Sequence, residues 1–212
     1  MVTQATINAK IGYGFNKAAK VLGASCAWYR PSGAGNPLAT QFGTIQAAFR
    51  QPNTGYMTPS TYSKPLWWGL FDLTTVDPGD YIVEPNMGTF FVASVDAIRN
   101  PLCIACNQTI TITRPGNQTP GSTYYGGVWT ESTVMTSWPA SVLQGTKGEK
   151  GEVSLPGDVR LSWVQILVPY AGVELLPGDV VTTAETIPMA YTISSRELTN
   201  LGWRLSAALA TA

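Results

Sequence analysis

Cys103 and Cys106, in the run Leu102-Cys-Ile-Ala-Cys106, have the CxxC spacing that serves zinc binding and thiol redox chemistry. Tetrahedral zinc needs four soft or imidazole ligands, and a redox pair needs a thiol whose pKa is lowered at a helix N-terminus. The chain holds 3 cysteines, Cys26 being the third, and no histidine to complete a ligand set. The run reads as a strand, in which positions i and i+3 face opposite sides, so the expectation is structural cysteines in a β core.

Lack of histidine also removes Ser-His-Asp, Cys-His and HExxH arrangements. A carboxylate pair drawn from Asp158, Glu174, Asp179 and Glu185 is what remains for catalysis. Asp80, Asp158 and Asp179 each follow Pro-Gly, where Asp serves turn geometry. The expectation is a protein that is not an enzyme, with no catalytic, cofactor-binding or metal-ligating residue and no cofactor. Trp67, Trp68, Trp129, Trp138, Trp163 and Trp203 raise a carbohydrate-binding alternative, since flat rings stack on sugars, but aromatics serve equally as core and interface anchors.

The elements that would position these residues are short. With 212 residues, 21 glycines and 15 prolines, long helices cannot dominate. Only 12% of residues are charged, against about a quarter in an ordinary globular protein, so much of the surface is neutral or covered by another chain. No uninterrupted apolar run reaches the roughly 18 to 20 residues of a membrane helix, and no basic-then-apolar leader is read, so a soluble protein folded in a reducing cytoplasm is expected.

Residues 4–22 carry the one good helical signal. Ile7, Ile11, Phe15, Ala18 and Leu22 fall on one face, and Gly23 stands where a cap belongs. Residues 30–64 turn to Pro, Gly, Ser, Thr, Asn and Gln and read as an extended arm. Strand-like runs follow at Leu66–Leu73, Asp80–Val83, Thr89–Val95, Leu102–Cys106 and Thr109–Ile112, with turns between them.

The second half echoes the first. Pro78-Gly79-Asp80-Tyr81 and Pro177-Gly178-Asp179-Val180 lie 99 positions apart, and Phe90–Ser94 matches Ala190–Ser194 after a one-residue shift. Leu102–Ile112 aligns roughly with Leu201–Ala210. Tandem duplication is one reading; chance recurrence of Pro-Gly turns is the other, and Pro156-Gly157-Asp158 is a third copy out of register. Pro115–Gly127 reads as the linker between halves, and Gly145–Gly151, with glycine every third residue, as a charged loop.

The expected fold is therefore mainly β: two small barrel or sandwich domains with an N-terminal α-helix and an extended arm. Its divisions are 1–64 for helix and basic arm, 65–115 for the first β domain, and 116–212 for the second with its Gly-rich loops. Residues 1–71 hold six basic residues and no acidic one, while the remainder holds seven basic and thirteen acidic. That split suits docking of the N-terminal part on the acidic body of a neighbouring copy, whereas six basic residues over seventy make no nucleic-acid patch.

Several phrases together resemble an uncharacterised family encoded among the virion structural genes of tailed bacteriophages and prophages. They are Gly12-Tyr13-Gly14-Phe15, Arg30-Pro31-Ser-Gly33 with Asn36-Pro37-Leu38, Gly69-Leu70-Phe71-Asp72, Pro78–Tyr81, Gly88–Ala93, Trp138–Gly151, Leu155–Val159, and Glu197-Leu-Thr199 with Gly202-Trp203-Arg204. The resemblance spans essentially the whole chain, and Trp138–Gly151 is its most specific part. It implies a virion component made in the host cytoplasm that assembles as a ring or sleeve in the tail or baseplate. The implied partners are further copies of itself and other tail or baseplate proteins, with no membrane and no direct nucleic-acid contact. A head-completion or head-to-tail connector is the alternative, and a receptor-binding lectin a lesser one. The expected interface residues are Ile7, Ile11, Phe15 and Leu22 on the helix and Arg30, Arg50 and Lys64 on the arm. Removal of residues 1–64 is expected to leave a β-rich protein that no longer assembles.

Overall fold

The computed structural model describes residues 3–51, 65–116, 131–144 and 163–210. Helix α1 runs Gln4–Leu22, opened by Thr3, whose Oγ1 accepts from the Thr6 N–H, and closed by Gly23, whose N–H donates to the Ala19 carbonyl. Gly23 is needed for proximity rather than for a left-handed backbone: a Cβ there would lie 2.7 Å from the Ala47 carbonyl oxygen.

Two antiparallel barrels follow. The first closes in the order β1 (Ala24–Tyr29), β2 (Gly43–Arg50), β3 (Leu66–Leu70), β6 (Leu102–Cys106), β5 (Gly88–Ser94), β4 (Tyr81–Glu84). The second closes in the order β7 (Gln108–Arg114), β8 (Ser132–Gln144), β9 (Trp163–Val168), β12 (Gly202–Leu209), β11 (Ala190–Thr199), β10 (Val180–Thr183). Strand for strand the two orders are the same. Closure pairs every strand on both sides, so neither barrel leaves an open edge for another chain to extend. Inward residues alternate along several strands: Cys26 and Trp28 on β1, Ala47 and Phe49 on β2, Ile110 and Ile112 on β7.

The correspondence reaches single hydrogen bonds. In the first barrel the Gly79 N–H donates to the Val92 carbonyl and the Val92 N–H to the Asp80 carbonyl; in the second, Gly178, Ile193 and Asp179 repeat both bonds. A register shift follows each time, between Val92 and Ser94 and between Ile193 and Ser195. Val92 and Ile193 are 101 positions apart, not 100, because the β10–β11 hairpin loop is two residues longer than the β4–β5 loop. Glu84, 99 positions before Thr183, caps the first of these loops by accepting from the Asn86 and Met87 N–H groups, and Thr183 caps the second by accepting from Met189 N–H.

The expected divisions at 64/65 and 115/116 are not where the barrels part. β1 and β2 are staves of the first barrel, and β7 belongs to the second, so a single residue, Asn107, joins the two. Ile45, Ala47 and Phe49 keep a period of two inside a Thr- and Gln-rich segment, and that alternation was the strand signal masked by composition. Pro115 and Gly116 open the β7–β8 connection within the second barrel rather than a linker between halves. Residues 117–127, the loop 145–151 and Pro156-Gly157-Asp158 lie outside the described residues.

The arm is thus intramolecular where it is described. The Ala34 carbonyl, in the β1–β2 connection, accepts from the Thr136 N–H and from Trp138 Nε1 on β8 at 3.0 and 3.1 Å. Around this contact one apolar cluster runs through both barrels, with Tyr81, Phe91, Ala93 and Ile104 against Ile110, Trp138 and Ala140. The Tyr81 hydroxyl donates to the Pro139 carbonyl at 2.7 Å, and the Asn107 side chain both donates to and accepts from the Val142 backbone.

Candidate assembly surface and the paired arginine-aspartate clusters

The strongest polar constellations are two copies of one device. Arg30 directly follows the first strand of barrel one and precedes Pro31; Arg114 ends the first strand of barrel two and precedes Pro115. Each guanidinium reaches the buried aspartate after a Pro-Gly turn. Arg30 Nε and Nη2 donate to the two Asp80 carboxylate oxygens at 2.9 and 2.8 Å, and Arg114 makes the same fork on Asp179 at 2.8 and 2.9 Å. Each carboxylate also accepts the backbone N–H three residues earlier, of Asp77 or Leu176, which locks the turn whose glycine, Gly79 or Gly178, has positive φ. The free Nη2 hydrogen bonds reach the Thr75 and Glu174 carbonyls. Hydrogen-bonded to its carboxylate, each guanidinium is held above its ordinary pKa and stays cationic.

The copies differ in two contacts: Arg30 Nη2 also meets the exposed Asp77 carboxylate at 2.9 Å, where the second barrel has Leu176. Trp28 Nε1 gives Asp80 an additional hydrogen bond at 2.8 Å, whereas the matching position across β7–β10 is Ile112. Sequence reading placed Asp80 and Asp179 at turns but paired neither with its arginine; the shared Arg-Pro and Pro-Gly-Asp phrases, at offsets of 84 and 99, were the signal.

These clusters hold two carboxylates inward, each paired with a guanidinium. Of the four carboxylates considered for catalysis, Asp179 sits in its pair, Glu174 faces Arg196 at 3.0 Å, Glu185 accepts from Gln108, and Asp158 lies outside the described residues. Cys103 and Cys106 face opposite sides of β6: Cys103 lies in the first barrel's own core, and Cys106 packs towards the cluster shared by both barrels. Burial pushes the Cys26 thiol up to about 11 and raises Cys103 and Cys106 further, so all three are neutral and poorly nucleophilic near pH 7. Among the described residues no group of three or more Cys, Asp or Glu is placed to hold a metal ion. No described tryptophan is exposed; Trp138 and Trp203 are buried and Trp67 packs edge-on against Phe90. No helix among the described residues is long and apolar enough to cross a membrane.

The residues expected to make contacts are distributed as follows. Helix α1 docks on its own barrel through Gly12, Ala19 and the half-buried Ile11, Phe15 and Asn16, with Asn16 Nδ2 donating to the Asp72 carboxylate. The docked line is one position on from the expected Ile7-Ile11-Phe15-Ala18-Leu22 stripe, because the small residues Gly12 and Ala19 let the helix lie close to the sheet. Ile7 and Leu22 therefore remain exposed, as do Tyr13 and Val21, and Lys10, Lys17 and Lys20 share that outer surface. Arg30 is engaged inside its barrel and is not an arm charge; Arg50 is exposed at the end of β2; Lys64 lies outside the described residues. The other conspicuous surface is a shallow recess at one end of barrel two, lined by Tyr170, Glu174, Arg196, Leu198 and Trp203.

The fold and these surfaces define a class: a tandem double barrel with a helix docked on its flank, its polar clusters built into the turns. Comparison with protein-family models, with curated proteins and with solved structures returned no match.

Proposed function

We propose that the chain is a non-enzymatic structural component of a tailed-phage virion, building a ring or sleeve in the tail or baseplate through contacts between copies and with neighbouring virion proteins. The observation that carries this reading is the outer surface of α1. A helix already docked on its own barrel still exposes Ile7, Tyr13, Val21 and Leu22, the last three by 70% or more. An isolated protein gains nothing from ordering apolar side chains into water, whereas an assembly component buries them on contact. The phrase-by-phrase resemblance to virion proteins along the chain supports the same reading, as does the low charge content. The neutral thiols and arginine-paired carboxylates support a structural role over a catalytic one.

The test is electron microscopy and mass measurement on full-length protein beside a chain lacking residues 1–22. Truncation at 64 is unsuitable because it removes β1 and β2 from the first barrel. The full chain should form rings or stacked rings, and the truncated chain should keep its β signature without forming them. Rings formed equally well by both would remove α1 from the reading.

A further inference from the structure

We propose that the chain carries a binding site for a neutral glycan, laid across Tyr170 between the barrel-two recess and a second recess at the Pro-Gly-Asp turn of barrel one. Tyr170 lines both recesses and is 51% exposed. On one side of it stand Glu174, Arg196 and the buried Trp203; on the other stand Arg30 and Asp77.

The ring is a fixed platform. Tyr170 lies two residues beyond β9, and turns of both barrels close on its backbone. A Cβ at Gly79 would lie 3.6 Å from the Tyr170 carbonyl oxygen, and one at Gly202 would lie 3.5 Å from its nitrogen. The Trp203 indole meets the Tyr170 ring edge-on at 6.1 Å and is itself tied through Nε1 to the Val173 carbonyl at 3.1 Å. An aromatic ring held in this way presents a flat apolar surface to the C–H face of a sugar at little cost in ordering.

Polar groups on either side supply what hydroxyls need. Arg196 donates through Nη1 to Glu174 Oε1 and to the Leu175 carbonyl, so Arg196 Nη2 and Glu174 Oε2 have no partner among the described residues. Arg30 uses Nε and Nη2 on Asp80, Thr75 and Asp77, which likewise leaves Arg30 Nη1 and Asp77 Oδ1. Each side thus offers a guanidinium donor next to a carboxylate acceptor, and neighbouring sugar hydroxyls, which accept and donate at once, meet both. Neither recess has a cation to spare, since Glu174 meets Arg196 while Asp77 and Asp80 meet Arg30, so an acidic ligand finds no counter-charge. The site needs one copy of the chain only, and its repetition in a ring would strengthen weak single contacts by avidity.

Titration of the full-length protein with short oligosaccharides of glucose, mannose, galactose and N-acetylglucosamine, followed by saturation-transfer NMR, tests this. At least one series is expected to bind, more tightly as the oligomer than as the monosaccharide, and equally at low and high salt because the ligand is uncharged. Tyr170→Ala should weaken that binding about tenfold, and Tyr170→Phe, which keeps the ring, should stay within about twofold of the unmodified chain. Glu174→Ala and Asp77→Ala, at side chains 72% and 69% exposed, should each weaken it severalfold. Thermal unfolding checks that every variant is folded. No binding by any of these sugars overturns the site, as does binding that ignores Tyr170→Ala or either carboxylate variant. Neither result bears on ring formation, which removal of residues 1–22 tests separately.

Discussion

At the scale of single residues, the Arg-Asp pairs hold the turns, each buried aspartate meeting a part-exposed arginine, and the unequal donors on the two aspartates set up a comparison. Arg30→Met leaves Asp80 with the Trp28 indole and the Asp77 N–H, whereas Arg114→Met leaves Asp179 with the Leu176 N–H alone. An uncompensated buried carboxylate is the larger loss, so Arg114→Met should lower stability more than Arg30→Met in urea unfolding, by about 1 to 3 kcal/mol because the arginine is part-exposed. Asp77 loses its Arg30 contact into water at little cost, its side chain being 69% exposed, so equal losses would mean that the indole contributes nothing to Asp80. The thiols make a second residue-scale prediction. Cys26 titrates near 9.0 when unfolded and about 11 when folded, and Cys103 and Cys106 move the same way. Between those values the unfolded chain releases protons that the folded chain retains, so stability should be flat to about pH 9 and fall as pH rises beyond it. Melting temperatures from pH 7 to 11 check the sign. Cys26→Ser should make the fall shallower.

At the scale of elements, the helix is the one most open to adjustment. Gly14 is exposed, and a Cβ there meets nothing within 4 Å, so Gly14→Ala should stabilise α1 by about 1 kcal/mol. Gly23→Ala should act oppositely, because the added Cβ would lie 2.5 Å from the Ala19 oxygen and 2.7 Å from that of Ala47. Circular dichroism melts of the two variants should shift in opposite directions. The helix bounds, the Pro-Gly-Asp turns and most first-half strands were legible because each rests on local signals: a cap, a positive-φ glycine, a run of β-branched or aromatic residues. β2 was not, because its inward Ala47 and Phe49 alternate with Thr44 and Gln46, and prolines and glycines on either side gave the segment the composition of a loop. Placement of the α1 face one position away also escaped sequence reading. Small Gly12 and Ala19 carry no hydrophobic signal, yet their size decides how closely the helix packs.

At the scale of the whole molecule, duplication explains the matching strand orders, turn clusters and bulges more economically than chance does. The repeat was visible at the Pro-Gly-Asp phrases but not along its length. Trp28 and Ile112 share a barrel position without sharing chemistry, and the two-residue longer β10–β11 loop breaks a constant offset. The barrels share an apolar cluster and are pinned by Asn107 and by the Tyr81 hydroxyl on Pro139, so they should unfold together. Calorimetry should give one transition for the full chain, and Asn107→Ala should broaden or split it; two separate transitions in the unmodified chain would contradict that coupling. Salt dependence bears on assembly in the same way. The most direct measurement is the molar mass of the full chain by light scattering at low and at high salt. The expected result is a species several times the 22.7 kDa monomer that shrinks as salt is added, and a monomer under both conditions would contradict assembly through complementary surfaces of the chain itself.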